Sequence, residues 1–375
     1  MIDLSVSRER IDEIDSQIVA LFEQRMAVAN EVAKYKMETG RKVYDRQREE
    51  EKLECLSAMS HGVFNEHAVR ELFSQIMSIS RKYQYGVLPH TEDVTDFVRV
   101  DGIAADSDTK VYYFGAPGSH TQQAMENFFA PRVQGISCQS FQGVMAAVQE
   151  GAADYGVLPI ENSSTGGITA NYDLLLDFRN AIVGQYVMKI DQCLVGLPGV
   201  SLKEIRRVYS HPQGLAQCSV YMNEHPDYNG IEYGSTAAAA QKVAEDQDPA
   251  QAAIASRRAA KEYGLEVLAE DIQQEKNNCT RFIVIGPKEI YTPVSSKLAM
   301  CIELPHKSGS LYRILSHFLY NDLNLTQIES RPIPGRNWEY RFFVDVEGNL
   351  DDPAVQNALR GIKEEAAFMR VLGNF

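Results

Sequence analysis

The sequence predicts a multidomain chain in which an all-α segment, an α/β segment and an α+β segment follow one another. Three observations support this fold class. Apolar residues recur at helical spacing in the first segment, and short apolar strands alternate with helical patterns in the middle. The last segment has the element order βαββαβ of a ferredoxin-like fold. The length of 375 residues fits two or three domains.

Composition excludes several classes of protein. The net charge of −14 makes nucleic acid an unfavourable partner. The six cysteines are widely spaced and contain no C-x-x-C pair, which argues against a disulfide framework or a metal site. The N-terminus has no apolar signal core, and no run is long and apolar enough to cross a bilayer. We therefore expect a cytoplasmic protein with no membrane partner.

Two joints divide the chain. Residues 89–109 carry one basic and six acidic side chains and are weakly patterned, as a linker would be. A second joint lies near residues 287–296, where Gly286 and Pro287 end one strand and Pro293 precedes another. The predicted domains are residues 1–88, 110–287 and 296–375, with residues 89–109 as an acidic linker.

The first segment is predicted to be helical from Ser7 to about Met37. Its apolar residues recur at steps of three, four and seven, and Gly40 lies beyond them as a helix stop. A second helix is expected from near Asp45 and a third over about 65–85. Because one long helix with two short ones has a thin core, we expect dimerisation through the long helix.

The middle segment is predicted to be α/β with a largely parallel sheet. Helical patterns cover residues 121–129 and 142–150. The short apolar stretches predicted as strands are Val111–Phe114, Tyr155–Leu158, Arg207–Tyr209, Ile231–Tyr233 and Arg281–Ile285.

The last segment supplies the βαββαβ order. Its predicted strands are Leu298–Leu304, Leu325–Ser330, Tyr340–Val346 and Met369–Leu372, and its predicted helices are Ser310–Tyr320 and Pro353–Ala366.

Charged residues interrupt the apolar faces of the first segment. Arg25 and Lys36 are 11 residues apart and share one face of the long helix, with a rotation of about 20° between them. Burying unpaired charge is costly, so these cations need partners. One interpretation is a salt-bridge network with Asp45 and Glu49. The other is a pocket for a small dianion, which also needs a donor such as Gln84 and a carboxylate for a hydroxyl.

In this segment the sequence resembles the all-helical chorismate mutase family. The residues that match, in the family's order, are Arg8, Arg25, Lys36, Asp45, Arg48, Glu49, Ser80 and Gln84. The resemblance implies an intertwined dimer that converts chorismate to prephenate. It further implies that arginines 25 and 48, with Arg8 from the partner chain, clamp the two carboxylates. Lys36 and Gln84 would donate to the ether oxygen, and Glu49 would accept from the substrate hydroxyl.

Several short polar motifs follow predicted strands in the middle segment. GAPGSHT (115–121), PIENSSTGG (159–167), SHPQ (210–213) and GST (234–236) come after strands, whereas NCTRF (278–282) enters one. Ligands in open α/β sheets bind at the carboxyl ends of strands. The alternative is that these motifs serve only as turns and helix N-caps, such as Ser235 or Thr236 for the helix that follows.

Taken together, these motifs resemble prephenate dehydratase over residues 110–287. The resemblance implies two periplasmic-binding-protein-like lobes with the site between them, and conversion of prephenate to phenylpyruvate without metal or cofactor. It assigns Thr280 as the main catalytic hydroxyl, with Glu161 and Asn162 shaping the site. The substrate contacts that it implies are Ser163, Ser210, His211, Gln213, Ser235, Thr236, Arg281 and Phe282.

Two motifs in the last segment resemble the ACT regulatory domain of prephenate dehydratases. PHKSGSL (305–311) joins a strand to a helix, with Ser310 as an alternative helix cap, and ESRP (329–332) ends a later strand. The resemblance implies a phenylalanine site at a subunit interface, although Ser310 stands where the family usually has Ala. The residues expected to form it are Gly309, Ser310, Leu311, Glu329, Ser330, Arg331 and Pro332.

All three segments together resemble a bifunctional chorismate mutase–prephenate dehydratase of phenylalanine biosynthesis with feedback inhibition by L-phenylalanine. The expected oligomer is a homodimer or homotetramer. Two alternatives stay open at this point: a non-catalytic sensor of aromatic metabolites, and an enzyme that retains only one of the two activities.

Overall fold

The computed structural model describes residues 4–87, 94–129 and 133–375. The chain forms two compact units that do not follow chain order. The first unit holds the described residues up to 96, together with 301–328 and 332–370; the second holds 97–300, 329–331 and 371–375. The helical first segment therefore folds with most of the last segment. Within the described residues, no helix has the length and apolarity needed to span a membrane.

The three predicted helices of the first segment are confirmed. They are α1 (Leu4–Thr39), α2 (Arg46–Ser57) and α3 (Val63–Val87). Gly40 follows α1 with a φ of +65°, the left-handed conformation that ends helices at glycine. Asp45 caps α2, because its Oδ1 accepts the backbone N–H of Arg48 at 3.1 Å.

Helix α1 leaves most of its apolar stripe uncovered. Ile14, Ile18 and Leu21 are 53%, 54% and 64% exposed, and the buried residues of α1 are Ala29 and Ala33. Val28 and Val32, in the C-terminal half of the stripe, are also exposed, so contacts within the chain leave the stripe uncovered along the helix. An exposed apolar row of this length marks an interaction surface.

The middle segment alternates strands and helices as predicted. Its strands are β1 (Val98–Arg99), β2 (Lys110–Phe114), β3 (Gln134–Cys138), β4 (Tyr155–Asn162), β5 (Gly166–Gly167), β6 (Ala181–Lys189), β7 (Cys193–Gly196), β8 (Arg207–Ser210), β9 (Asn229–Glu232), β10 (Gln251–Ala255), β11 (Glu266–Ala269), β12 (Cys279–Gly286) and β13 (Ile290–Tyr291). Its helices are α4 (His120–Phe129), α5 (Phe141–Gln149), α6 (Thr169–Asp177), α7 (Pro212–Gln217), α8 (Ser219–Glu224), α9 (Thr236–Asp246) and α10 (Arg257–Glu262).

Apart from β1 and β13, which pair with each other, these strands lie in two sheets, each the centre of one lobe. The first lobe has the strand order β3-β2-β4-β12-β6, with β5 paired to β4; the second has the order β11-β7-β10-β8-β9. The chain crosses from the first lobe to the second after β6 and returns before β12. The segment is thus a two-lobed α/β fold that resembles the periplasmic-binding-protein-like fold.

The prediction of a largely parallel sheet is only partly right. β2 pairs in parallel with β3 and β4, and β8 pairs in parallel with β9 and β10. However, β12 is antiparallel to β4 and β6, and β7 is antiparallel to β10 and β11. The two strands β7 and β12 directly follow the crossovers between lobes, so they enter their sheets without the helical connection that produces parallel neighbours.

The acidic linker is more ordered than its composition predicts. Residues 89–93 lie outside the described residues, but β1 pairs in parallel with β13, which lies in the second predicted joint. The backbone carbonyl of Ala104 also accepts a hydrogen bond from the Tyr155 hydroxyl at 3.0 Å. Residues 97–109 of the linker therefore pack onto the α/β segment.

The last segment has the predicted order βαββαβ. It comprises β14 (Lys297–Glu303), α11 (Ser310–Leu319), β15 (Leu325–Pro332), β16 (Tyr340–Glu347), α12 (Pro353–Glu365) and β17 (Phe368–Asn374). Its strands lie in the order β15-β16-β14-β17, which places the first strand of the motif between the third and the fourth. This is the arrangement of a ferredoxin-like sheet.

Candidate active sites

A first cavity, of about 830 Å³, lies among α1, α2, α3 and the loop between α1 and α2. We call it the helical cavity. Six predicted site residues line it: Arg25, Lys36, Asp45, Arg48, Ser80 and Gln84. Together with three further cations, its wall carries six basic side chains and one carboxylate. Such a concentration of positive charge, in a chain of net charge −14, suits a small anionic ligand.

The two cations of α1 have hydrogen-bond partners but no ion pair with Asp45 or Glu49 among the described residues. Arg25 Nη1 donates to Ser80 Oγ at 2.5 Å, and Lys36 Nζ donates to the carbonyl of Val43 at 2.6 Å. The predicted salt-bridge network is therefore wrong for these two positions, because neutral oxygens take the place of the carboxylates. Burial lowers the pKa of both cations, and the charge of Glu49 opposes this shift.

Gln84 completes the inner wall of the helical cavity. It is buried on α3, and its Oε1 accepts from Lys36 Nζ at 3.3 Å. The amide oxygen thus faces the lysine, which fixes the orientation of the amide group. The amide nitrogen has no partner within the described ranges, so it is available as a donor to a ligand.

Two predicted residues of this site lie outside the cavity wall. Glu49 pairs with Arg81 of α3, a residue that the sequence patterns did not single out. Arg8 is exposed on α1, 17 residues before Arg25 and hence about 25 Å from it along the helix. Arg8 therefore cannot reach the cavity of its own chain.

A second cavity, of about 470 Å³, lies between the two lobes of the α/β fold. We call it the cleft cavity. The loops that follow several strands converge on it, as the sequence predicts. The predicted residues that line it are Asn162, His211, Gln213, Ser235, Thr236, Thr280 and Phe282.

Thr280 and Asn162 are partners across the antiparallel pair of β12 and β4, so their side chains lie on the same face. Asn162 Nδ2 donates to Thr280 Oγ1 at 2.9 Å, and Asn162 Oδ1 accepts from the backbone N–H of Ser164 at 3.0 Å. The threonine oxygen therefore acts as an acceptor within the protein. Its own O–H is left to donate into the cavity.

Glu161 and Arg281 are the next partners on the same two strands, and they do not line the cavity. Neighbouring residues of a strand point to opposite faces, so these two side chains point away from Thr280. Arg281 Nη2 lies 3.2 Å from Glu161 Oε2. The pair stabilises the strands behind the site. In this geometry Arg281 does not make the predicted direct contact with substrate.

Two further predicted contacts have structural roles outside the cavity wall. Ser163 Oγ accepts the backbone N–H of Cys279 at 2.9 Å, which continues the pairing of β4 with β12. Ser210 is fully buried, and its Oγ donates to the carbonyl of Ile254 at 2.8 Å. Both residues were predicted as contacts from the resemblance of their motifs to prephenate dehydratase.

Two helices of the α/β fold begin at the cleft cavity, one from each lobe. Ser119 accepts the N–H of Gln122 at 3.3 Å at the start of α4, and Ser235 accepts the N–H of Ala238 at 3.0 Å at the start of α9. Both serines line the cavity. Helix N-termini favour anions, so the cleft offers two places for carboxylates.

A side chain of one lobe also reaches across the cleft to the other. Gln213 Nε2, on α7, donates to Thr165 Oγ1 at 3.0 Å. His211 holds this segment in place, because its Nδ1 accepts the backbone N–H of Gln213 at 3.2 Å.

Sequence reasoning missed His120, Gln192, Phe114 and Phe141 among the residues that line the cleft cavity. Burial lowers the pKa of His120 to about 4, so its imidazole is neutral near pH 7. His120 belongs to the GAPGSHT motif. However, the sequence does not show whether a histidine at a helix N-terminus contacts a ligand or only caps the helix.

The C-terminal motifs lie at the start of α11 and in β15. Gly309, with a φ of +74°, takes the N-cap position of α11, so the alternative of Ser310 as the cap is wrong. Ser310 is the first helical residue and is buried, whereas Leu311 is half-buried.

The second C-terminal motif has partners in the α/β segment. Arg331 Nη2 lies 2.5 Å from Asp173 Oδ2, and the carboxylate of Glu329 lies close to Gly167. Ser330 and Pro332 are exposed on β15. Within residues 4–87, 94–129 and 133–375, no cluster of three or more His, Cys, Asp or Glu side chains is arranged to hold a metal ion.

Comparison with known proteins connects both cavities to established families. The family model of prephenate dehydratase matches residues 111–290, and that of chorismate mutase type II matches residues 7–85. The bifunctional chorismate mutase/prephenate dehydratase of Escherichia coli K12 is 34% identical over 373 residues, which cover 98% of this chain and 94% of the relative. That of Aquifex aeolicus is 31% identical, with 100% and 98% covered.

A solved structure extends the likeness to three dimensions. Prephenate dehydratase from Arthrobacter aurescens in complex with L-Phe has a TM-score of 0.66 and 34% identity, covering 71% of this chain and 89% of that one. The sequence relatives match almost from end to end, and each cavity lies within the range of one family model. The chain therefore belongs to the bifunctional chorismate mutase/prephenate dehydratase family.

Proposed function

We propose that the helical cavity rearranges chorismate to prephenate and that the cleft cavity converts prephenate to phenylpyruvate, under feedback control by L-phenylalanine. The observation that carries this proposal is the pair of separate cavities, each lined by the side chains that its chemistry needs. An enzyme of this pathway, with six free cysteines, is expected in the cytoplasm.

The helical cavity needs no nucleophile, because the rearrangement of chorismate is pericyclic. Arg25 and Arg48 bind the substrate carboxylates, with Arg8 of the partner subunit as the third clamp. Lys36 and Gln84 donate to the ether oxygen as negative charge develops there, which stabilises the transition state. Glu49, which lies beside the cavity wall, accepts from the substrate hydroxyl through the carboxylate oxygen that Arg81 does not hold. Ser80 positions Arg25, and Asp45 positions α2 by capping it.

The dimer proposal rests on α1. The exposed apolar stripe needs cover, and Arg8 lies about 25 Å along the helix from Arg25. A second copy of α1 packed alongside answers both requirements, because it covers the stripe and delivers its Arg8 to the neighbouring cavity. We propose that the protein forms a homodimer, or a homotetramer built from two such dimers.

Mixing two inactive variants tests this exchange. We expect Arg8→Ala and Lys36→Ala each to abolish most mutase turnover. Refolding them together from denaturant should restore about a quarter of the wild-type turnover per chain. Random pairing makes half of the dimers heterodimers. In each heterodimer, one of the two sites has both native residues, so one quarter of all sites are intact. No recovery above the sum of the two variants would show that Arg8 acts within its own chain or not at all.

In the cleft cavity, prephenate loses its ring hydroxyl and its ring carboxylate. The C–C bond to the carboxylate breaks and releases CO2, and its electron pair completes the aromatic ring as the C–O bond breaks. The hydroxyl takes a proton and leaves as water. Thr280 donates to the departing hydroxyl, while Asn162 holds the threonine oxygen from behind. The N-terminus of α9 binds the side-chain carboxylate, which stays in the product.

The last segment is proposed to be an ACT regulatory domain that binds L-phenylalanine. The βαββαβ order, the motifs around Gly309 and Glu329, and the L-Phe complex of the Arthrobacter protein support this proposal. That structure covers 71% of the chain, whereas residues 111–290 amount to 180 of 375 residues, so the likeness extends beyond the dehydratase range.

Turnover of the purified chain tests the whole proposal. Chorismate is supplied with and without L-phenylalanine, and chorismate, prephenate and phenylpyruvate are followed by chromatography. We expect phenylpyruvate to form and its formation to fall when phenylalanine is present. Accumulation of prephenate without phenylpyruvate would show that only the mutase site is active. An unchanged amount of chorismate would favour a non-catalytic sensor.

A further inference from the structure

A series of buried charges connects Glu49, beside the helical cavity, to the end of α12. Arg81 of α3 donates through Nη1 to Oε2 of Glu49 and through Nη2 to Oε1 of Glu365, the latter at 2.6 Å. The side chains of Arg81 and Glu365 are only 6% and 7% exposed. One guanidinium group thus bridges a carboxylate of the mutase site and a carboxylate of the last segment.

Further contacts hold the same end of α12 against the mutase helices. His317 Nε2 lies 3.3 Å from Glu365 Oε1. The neighbouring Glu364 accepts the backbone N–H of Tyr44 at 3.1 Å, and it also accepts from the Tyr85 hydroxyl. Tyr44 lines the helical cavity, and its ring lies 4.7 Å from the Arg81 guanidinium carbon.

The position of these two glutamates conflicts with local helix preferences. Glu364 and Glu365 are the last two residues of α12, where the helix dipole disfavours negative charge. Burial also disfavours the ionised form of Glu365, but His317 and Arg81 outweigh burial and lower its pKa to about 2. Residues that break a local rule and are stabilised by tertiary contacts are expected at functional positions.

The bridge leaves Glu49 suited to accept a substrate hydroxyl. Its Oε2 is held by Arg81, and its Oε1 has no hydrogen-bond partner in the described part of the chain. The oxygen that Arg81 does not hold can therefore accept a hydrogen bond from a ligand. The charge of Glu49 also acts on Arg25 and Lys36 of α1.

We propose that Arg81 is a positioning residue of the mutase site and that Glu365 of the last segment holds it in place. This inference rests on the proposed mutase activity. The last segment then contributes to the mutase reaction through one shared guanidinium, without touching substrate. It also follows that a change at the end of α12 alters mutase turnover directly.

Three full-length variants test the proposal with chorismate as substrate. In Arg81→Gln, we expect the mutase kcat to fall about 10- to 100-fold with little change in KM, because Glu49 loses its fixed orientation. Dehydratase turnover of supplied prephenate should stay at the wild-type level. The matched control is Arg70→Gln, which removes the exposed pair of Arg70 with Glu50 between the same two helices and should leave both activities unchanged.

The third variant separates positioning from stability. In Arg81→Met/Glu365→Met, both buried charges are removed, and we expect much of the thermal stability lost in Arg81→Gln to return. We expect its mutase kcat to stay low, because Glu49 still lacks its partner. Recovery of kcat with stability, or wild-type kcat in Arg81→Gln, would overturn the positioning role. A wild-type chain without mutase turnover would instead overturn the proposed function and this inference with it.

Discussion

Replacing Lys36 with alanine is expected to lower the mutase kcat by about 10²- to 10³-fold while the dehydratase activity is unchanged. Lys36 is the cation of α1 that bonds to both the Val43 carbonyl and Gln84, and burial in the wall of the helical cavity lowers its pKa. A partly desolvated ammonium interacts strongly with charge that develops in the transition state. Its loss therefore affects the chemical step more than binding.

The measurement is the initial rate of chorismate loss, with dehydratase followed separately on supplied prephenate. Lys34→Ala is the matched control, because Lys34 is exposed on the same helix and does not line the cavity. Wild-type kcat in Lys36→Ala would remove this residue from the mechanism. Loss of both activities in Lys36→Ala would contradict the two-site assignment.

Replacing Thr280 with valine is expected to lower the dehydratase kcat by about 10²- to 10³-fold and to leave the mutase unchanged. Valine keeps the shape of threonine but has no O–H to donate to the departing hydroxyl. It also leaves the Asn162 amide without one of its acceptors, at a cost of about 1–3 kcal/mol in the free energy of unfolding.

Thr280→Ser separates these two effects. Serine restores the hydroxyl and the hydrogen bond from Asn162, so we expect most of the dehydratase kcat to return. The measurement is phenylpyruvate formation from prephenate, with the thermal midpoint of each variant determined alongside. Equal losses in the serine and valine variants would show that the methyl packing of Thr280, and not its O–H, is what the site requires.

The sequence patterns predicted most of the secondary structure but not the topology. Helical periodicity was sufficient for the helices of the first segment, and α3 begins and ends within two residues of its prediction. The strand predicted at Ile231–Tyr233 begins two residues earlier and ends one residue earlier in β9, because short strands have weak boundaries. The strand Gln251–Ala255 was missed, since it is rich in alanine, which has low strand propensity.

Residue types and motifs were enough to identify thirteen of the residues that line the two cavities, including Lys36, Gln84, Asn162 and Thr280. Such side chains are recognisable because their chemistry requires specific groups at specific intervals along one element or loop.

What a residue faces, in contrast, depends on contacts between distant parts of the chain. The register of β4 with β12 turns Thr280 into the cleft and Arg281 away from it. The packing of α12 on α3 joins Arg81 to Glu365, residues 284 positions apart. Periodicity describes only one element at a time, so neither the direction of Arg281 nor the bridge at Arg81 has a local signal; both arise from long-range packing.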